Sequence, residues 1–276
     1  MSTFRDMVQA IKSASISKQS IVLCMLGPAG IGKTAAVKEA AAEMALEGRA
    51  TGKVVTIIAS QILPNEVSGI TMPVPERHAM EIFDHYRLSS LQDGDILFFD
   101  ELLEADQLVL SACLTLIESR ELMSGHKLPD VQIVAATNPT IQPNMLKENI
   151  RQRFVWRKFD IDPNGTRSYI KRTYGFDVGK ELADRLVPTG NEYNILTPRS
   201  LTKMAGWMAS AHNELEANEI AASIDACWSS QLGTTLKARW AKNYLDPETQ
   251  VRTTLKKLSK ELAMNTFDID FDNDSI

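Results

Sequence analysis

Short, unbroken apolar runs alternate along the first part of this chain with longer stretches whose apolar residues recur every three or four positions. Residues 21–26, 54–59, 96–99 and 132–136 are runs of the first kind. A short apolar run bounded by turn formers predicts a strand buried on both faces, as in a parallel sheet. Residues 154–159 are more amphipathic and predict a fifth strand. The second kind begins with residues 4–16, where Phe4, Met7, Val8 and Ile11 fall on one helical face. The alanine-rich segment 35–46, closed by Gly48, and the segment 102–119 predict two more helices. Strands alternating with helices predict a parallel sheet covered on both faces.

After Pro163 the pattern changes. Residues 169–174, 179–187, 199–212 and 219–244 predict helices, with no strand-like run between them. The fold class expected is α/β: a five-stranded parallel sheet followed by a smaller all-helical domain. The expected organisation is a core over residues 1–161, a helical domain over 162–246, and a basic helix with an acidic tail over 247–276. That tail, Phe267-Asp268-Ile269-Asp270-Phe271-Asp272-Asn273-Asp274-Ser275-Ile276, alternates apolar and acidic residues. The alternation suits a strand added to a partner's sheet edge, and it suits a solubilising disordered tail; both readings stay open.

Composition changes this picture little. With 44% apolar and 24% charged residues, the chain can fill a sizeable core without staples. A net charge of −5 argues against a surface devoted wholly to nucleic acid, while leaving room for a local basic channel. Cys24, Cys113 and Cys227 lie far apart in apolar runs, without metal-ligand spacing, and are expected to be buried, reduced thiols. Trp207, Trp228 and Trp240 are expected in the core of the helical domain. The first residues include Arg5, Asp6 and Lys12 and lack the apolar core of a signal peptide. No apolar run approaches the roughly 20 residues needed to span a bilayer. The expectation is a cytoplasmic protein without a membrane partner.

The chemistry sits at the predicted strand ends. Gly27-Pro28-Ala29-Gly30-Ile31-Gly32-Lys33-Thr34 fits G-x-x-x-x-G-K-S/T at every fixed position, after a predicted strand and at the start of a predicted helix. Glycines let successive backbone N–H groups converge on phosphate oxygens, and the helix dipole adds to the attraction. In such a loop Lys33 reaches the β- and γ-phosphates, and the Thr34 hydroxyl ligates Mg²⁺. Ile96-Leu97-Phe98-Phe99 then delivers Asp100 and Glu101 at the carboxyl end of a strand, where open α/β sheets place their ligands. Asp100 is the candidate metal holder and Glu101 the candidate base for an attacking water. Asn138, ahead of Pro139, ends another strand and is placed to meet the γ-phosphate or the water.

With these motifs in this order, residues 19–208 resemble the AAA+ superfamily. "FFDELLEADQLVLSACLTLIESRE" leading to "VAATNP" resembles its MoxR-like branch. The resemblance implies a P-loop core with Walker A and Walker B motifs, a helical lid, and ATP with Mg²⁺ as cofactors. It implies ATP hydrolysis at the subunit interfaces of a homo-oligomeric, hexameric ring. The implied action is chaperone-like remodelling of a protein, with a von Willebrand factor A-type protein as the associated partner. It points to Arg153, directly before Phe154, as an arginine acting on a neighbouring subunit, with Arg151 as second choice. It also marks Arg199 of Thr197-Pro198-Arg199 as a lid arginine facing the subunit's own phosphates. The interval 63–92 is short, so a pore-facing insertion there must be compact. The main alternative is a DNA-acting AAA+ motor or loader with nucleic-acid-stimulated ATPase. A second alternative, a scaffold that binds ATP without turnover, is disfavoured because it has no use for Glu101.

Overall fold

Along the chain, α1 (Phe4–Ile16), β1 (Leu23–Leu26), α2 (Lys33–Leu46) and β2 (Val54–Ile58) lead into a short helix α3 (Asn65–Ser68). A hairpin of β3 (Ile70–Val74) and β4 (Ala79–Phe83) and a helical turn α4 (Tyr86–Ser89) follow. Next come β5 (Ile96–Asp100), α5 (Gln107–Ser119), β6 (Gln132–Thr137), the turn α6 (Glu148–Arg151) and β7 (Val155–Lys158). The computed structural model describes residues 4–16, 21–139, 146–186, 196–228 and 231–244, and two compact units meet in sequence at Asp162 and Pro163. The helix and acidic tail expected over 247–276 lie outside the described residues.

Five strands form one parallel sheet in the order β2-β5-β6-β1-β7. Alternate side chains point to opposite faces, so each strand feeds two cores. Cys24, Leu97, Phe99, Ile133 and Ala135 pack with Val109, Cys113 and Leu116 of α5. Leu23, Met25, Ile96, Phe98, Val134 and Ala136 pack with Met7 and Ile11 of α1 and Val37, Ala40, Ala41 and Met44 of α2. This double burial explains why the strands read as unbroken apolar runs. Fully buried side chains such as Phe98 and Phe99 each stabilise the unit by roughly 1.5–3 kcal/mol. Register places Asp100 beside Ile58, and Leu26 beside Thr137 and Lys158. The segments leaving β1, β2, β5 and β6 therefore emerge at one edge of the sheet.

Two details of this unit differ from the sequence expectation. The helix expected over 102–119 is a 3₁₀ turn at Leu102–Glu104 followed by α5, with Ala105 and Asp106 extended between them. The β3–β4 hairpin has no counterpart in the expectation, because Ile70, Met72, Met80 and Phe83 are exposed and leave no core-facing period to read. Gly69 starts it at φ +78°, where a Cβ would lie 2.8 Å from the Phe83 carbonyl oxygen.

Among its described residues the second unit has helices as its regular elements: α7 (Pro163–Tyr174), α8 (Lys180–Ala183), α9 (Pro198–Ala209), α10 (Glu214–Cys227) and α11 (Leu232–Tyr244). Helix α9 starts with a capping box, Thr197 accepting from the Ser200 N–H and Ser200 from the Thr197 N–H, with Pro198 at its first position. The single helix expected over 219–244 is two helices. Gln231 turns at φ +82°, and Asp225 caps the new start by accepting from the N–H groups of Gly233 (2.6 Å) and Thr234 (3.0 Å). Gly233 packs against the Ala221 carbonyl so closely that a Cβ would overlap it. Trp240 is buried as expected, but Trp207 is 49% exposed and the Cys227 thiol is exposed too. Both lie on helix faces towards a groove of this unit rather than its core.

Candidate nucleotide site

The chain leaves β1 at Leu26 and turns through Gly27-Pro28-Ala29-Gly30-Ile31-Gly32. Gly27 donates its N–H to the Thr137 carbonyl at 3.3 Å. A Cβ on Gly27 would come within 2.5 Å of Ile31 Cδ1 and 2.8 Å of the Phe159 carbonyl oxygen, so this position needs glycine. Gly32 takes φ +101°, a left-handed conformation that costs other residues, and hands the chain to α2. Pro28 and Ile31 are buried and anchor the loop, while Ala29 is exposed. Lys33, the first residue of α2, is only 8% exposed. Its ammonium donates to the carbonyls of Gly27 (2.5 Å) and Pro28 (3.1 Å) and to Asn138 Oδ1 (3.0 Å).

A carboxylate cluster stands beside this loop. Thr34 Oγ1 donates to Asp100 Oδ2 at 2.8 Å, and the Glu101 N–H donates to Asp100 Oδ1 at 3.1 Å. Glu101 itself sits at φ +56°, ψ +35°, an uncommon conformation for a non-glycine residue. Its Oε2 accepts a hydrogen bond from Ser60 Oγ, just past the end of β2. Asn138 follows β6 and donates both its N–H (3.3 Å) and Nδ2 (2.6 Å) to Glu104 Oε1. Because Lys33 can only donate, it turns Asn138 Oδ1 towards itself and leaves Nδ2 facing Glu104. Thr137, buried beside this network, has an Oγ1 with no hydrogen-bond partner.

Hydrogen bonds thus tie the sequence-predicted Lys33 to Gly27, Pro28 and Asn138, and Thr34 through Asp100 to Glu101. Ser60 and Glu104 complete the network without having been predicted. Their signal in the sequence was weak: Ser60 is one polar residue after an apolar strand, and Glu104 stands within a predicted helix. Arg151 and Arg153 make no direct hydrogen bond to this cluster. Arg153 instead pairs with Glu118 of α5, its Nε donating at 3.1 Å to a carboxylate that is 63% exposed. Arg151 is exposed, and its carbonyl accepts from the Trp156 indole N–H at 2.9 Å. Arg199 is exposed in the first turn of α9, in the second unit.

The donor set suits a magnesium nucleotide. Thr34 and Asp100 offer hard oxygen ligands, and Mg²⁺ takes most of its remaining ligands from phosphate and water. Lys33 and the glycine-rich turn offer a cation and backbone N–H groups to phosphate. The glycine at 27, where no Cβ fits, keeps the loop tight against β1 and β7.

Sheet order, loop and helical second unit together define the AAA+ fold of P-loop ATPases. Residues 22–154 match the family described as AAA domain (dynein-related subfamily). Among solved structures, a mutant of RuvB from Thermotoga maritima is 16% identical, with a TM-score of 0.50 over 89% of this chain and 70% of that one. A second RuvB mutant of that organism is 17% identical, with a TM-score of 0.50 over 86% of this chain and 67% of that one. At such identities the likeness concerns the fold. No curated protein sequence matches the chain. Among the described residues, no helix is long and apolar enough to cross a membrane.

Proposed function

We propose that this chain is an ATPase that binds MgATP at Gly27–Thr34 and hydrolyses it at the junctions of a homo-oligomeric, hexameric ring. The observation that carries this reading is the hydrogen-bonded path at one sheet edge, linking Lys33 to Asn138 and Thr34 to Asp100 and Glu101. Residues 1–161 form the nucleotide-binding core and residues 162–246 the lid. Lys33 exchanges its neutral oxygen partners for phosphate, a gain that favours binding because charge-assisted hydrogen bonds are the stronger ones. Thr34 and Asp100 would hold a magnesium ion, which would neutralise charge on the phosphates. Glu101 takes a proton from the attacking water while Ser60 steadies its second oxygen. Asn138, oriented by Lys33 and Glu104, has a remaining amide hydrogen to offer that water or a phosphate oxygen.

Arg153 of one subunit serves the phosphate of its neighbour, with Arg151 as alternate, and Arg199 serves the subunit's own. The work done is chaperone-like remodelling of a protein, with a von Willebrand factor A-type protein as the partner. This follows the MoxR-like sequence of residues 98–121 and the absence of a strong overall positive charge.

The decisive experiment pairs two variants. Lys33→Ala should lose ATP binding in calorimetry while keeping its helical circular dichroism. Glu101→Gln should bind ATP normally yet lose roughly 10²–10⁴-fold in phosphate release. Undiminished binding by the first, or undiminished turnover by the second, would remove the basis of this reading. Duplex DNA should leave the rate unchanged; stimulation that falls steeply with salt would turn the reading to a nucleic-acid motor.

A further inference from the structure

The helical unit contains a groove between α9 and α10 of whose lining only Arg199 has been given a role above. It encloses about 620 Å³. Met204 and Ile224, both buried, form its floor, and the half-exposed Trp207 and the Trp228 side chain form its walls. Ser200, Lys203, Met204 and Trp207 lie three and four residues apart on α9, so they make one continuous stripe along the groove. Arg199 and Lys203 stand on the rim, and neither makes an ion pair among the described residues. Among the described residues, no Asp or Glu lines the groove. An exposed tryptophan wall flanked by unpaired cations, in a chain of net charge −5, calls for an occupant that is apolar on one side and acidic on the other.

The chain carries such a segment. From Phe267 to Asp274, apolar Phe267, Ile269 and Phe271 alternate with Asp268, Asp270, Asp272 and Asp274. In an extended conformation, alternation of this kind puts the apolar set on one side and the carboxylates on the other. Reach is not a constraint. Residues 245–266 join α11 to this segment and span roughly 30 Å even at a helical rise, or about 75 Å extended.

We propose that residues 267–274 dock in the α9–α10 groove of their own chain. Phe267, Ile269 and Phe271 lie against Trp207, Trp228, Met204 and Ile224, and the aspartates face Lys203. Tethering supplies a local concentration in the millimolar range, so even a weak intrinsic contact fills the groove. The pairing accounts for two features that otherwise lack a role, an apolar–acidic alternation and an exposed tryptophan beside the unpaired Lys203.

Cys227 lines the same groove and is the exposed thiol, whereas Cys24 and Cys113 are buried, so its alkylation reports occupancy. The full chain is treated with N-ethylmaleimide under native conditions, and the label is located by mass spectrometry. A variant with Phe267→Ser, Ile269→Ser and Phe271→Ser should label at Cys227 about tenfold faster than the parent, as loss of a tethered contact predicts. Lys203→Glu should do the same, and combining it with the tail substitutions should add little. Labelling at Cys24 and Cys113, both buried, stays slow while the fold is intact. Equal Cys227 rates in the parent and the tail variant would overturn the proposal. Protection that grows with protein concentration would overturn it as well, because the tail would then come from another copy.

Discussion

Glu101 carries a backbone cost at the position proposed for the base. At φ +56° an L-residue is less stable than glycine by about 1 kcal/mol, yet a glutamate stands there. Strain of this kind persists where the surroundings impose it, here β5 on one side and the Leu102–Glu104 turn on the other. Glu101→Gly should therefore stabilise the fold by about 1 kcal/mol in urea unfolding. The same change should cut phosphate release by roughly 10²–10⁴-fold. A variant less stable than the parent would mean that the Ser60 hydrogen bond outweighs the strain.

Among the elements, the link from α7 to α8 combines the buried Phe176 and Val178 with an ion pair. Arg167 donates Nε (2.6 Å) and a terminal nitrogen (2.8 Å) to the two oxygens of Asp177, and the Gly179 N–H adds a third bond at 3.0 Å. The Arg167 hydrogen bonds hold the Asp177 carboxyl well below the usual carboxylate range, against the opposing effect of partial burial. A depressed folded-state pKa stabilises the fold above the unfolded-state value near 4, and that contribution fades as pH falls towards the folded one. Both side chains are partly exposed, so solvent screening limits the pair to about 1 kcal/mol. Asp177→Asn should lose that amount at pH 7. The gap between variant and parent should narrow as the medium is taken below about pH 4, read by helical circular dichroism in urea. A gap that stays constant with pH would assign the loss to packing instead.

Assembly is the question for the whole molecule. Arg153 is tied to Glu118 at the surface of its own unit and makes no hydrogen bond to the Lys33–Asp100 cluster. In the proposed reading Arg153 meets a neighbour's phosphate through a head-to-tail interface, whose rotation must then close into a ring. ATPase activity per subunit should then rise with protein concentration. Arg153→Ala and Glu101→Gln subunits should each be nearly inactive alone and partly active when mixed, because some junctions pair an intact arginine with an intact base. No recovery in oligomers shown by light scattering to be mixed would exclude a shared site.

Much of the architecture was legible because it rests on local pattern. The unbroken apolar runs announce a doubly covered parallel sheet, since a strand buried on both faces has no polar side. The phosphate-loop motif and the Asp100-Glu101 pair stand at strand ends within short spacings, and a left-handed Gly32 and a helix start are readable from residue type. What the sequence left dark depends on contacts between distant residues. Ser60 and Glu104 look ordinary until β2 is laid beside β5 and the turn after β5 beneath Asn138. The β3–β4 hairpin turns its apolar side chains outward and so shows no burial period. The break between α10 and α11 is marked by Asp225 reaching across to cap a second helix and by the close packing of Gly233 on Ala221. Periodicity reports which side of an element is buried, and tertiary structure alone decides which polar groups meet there.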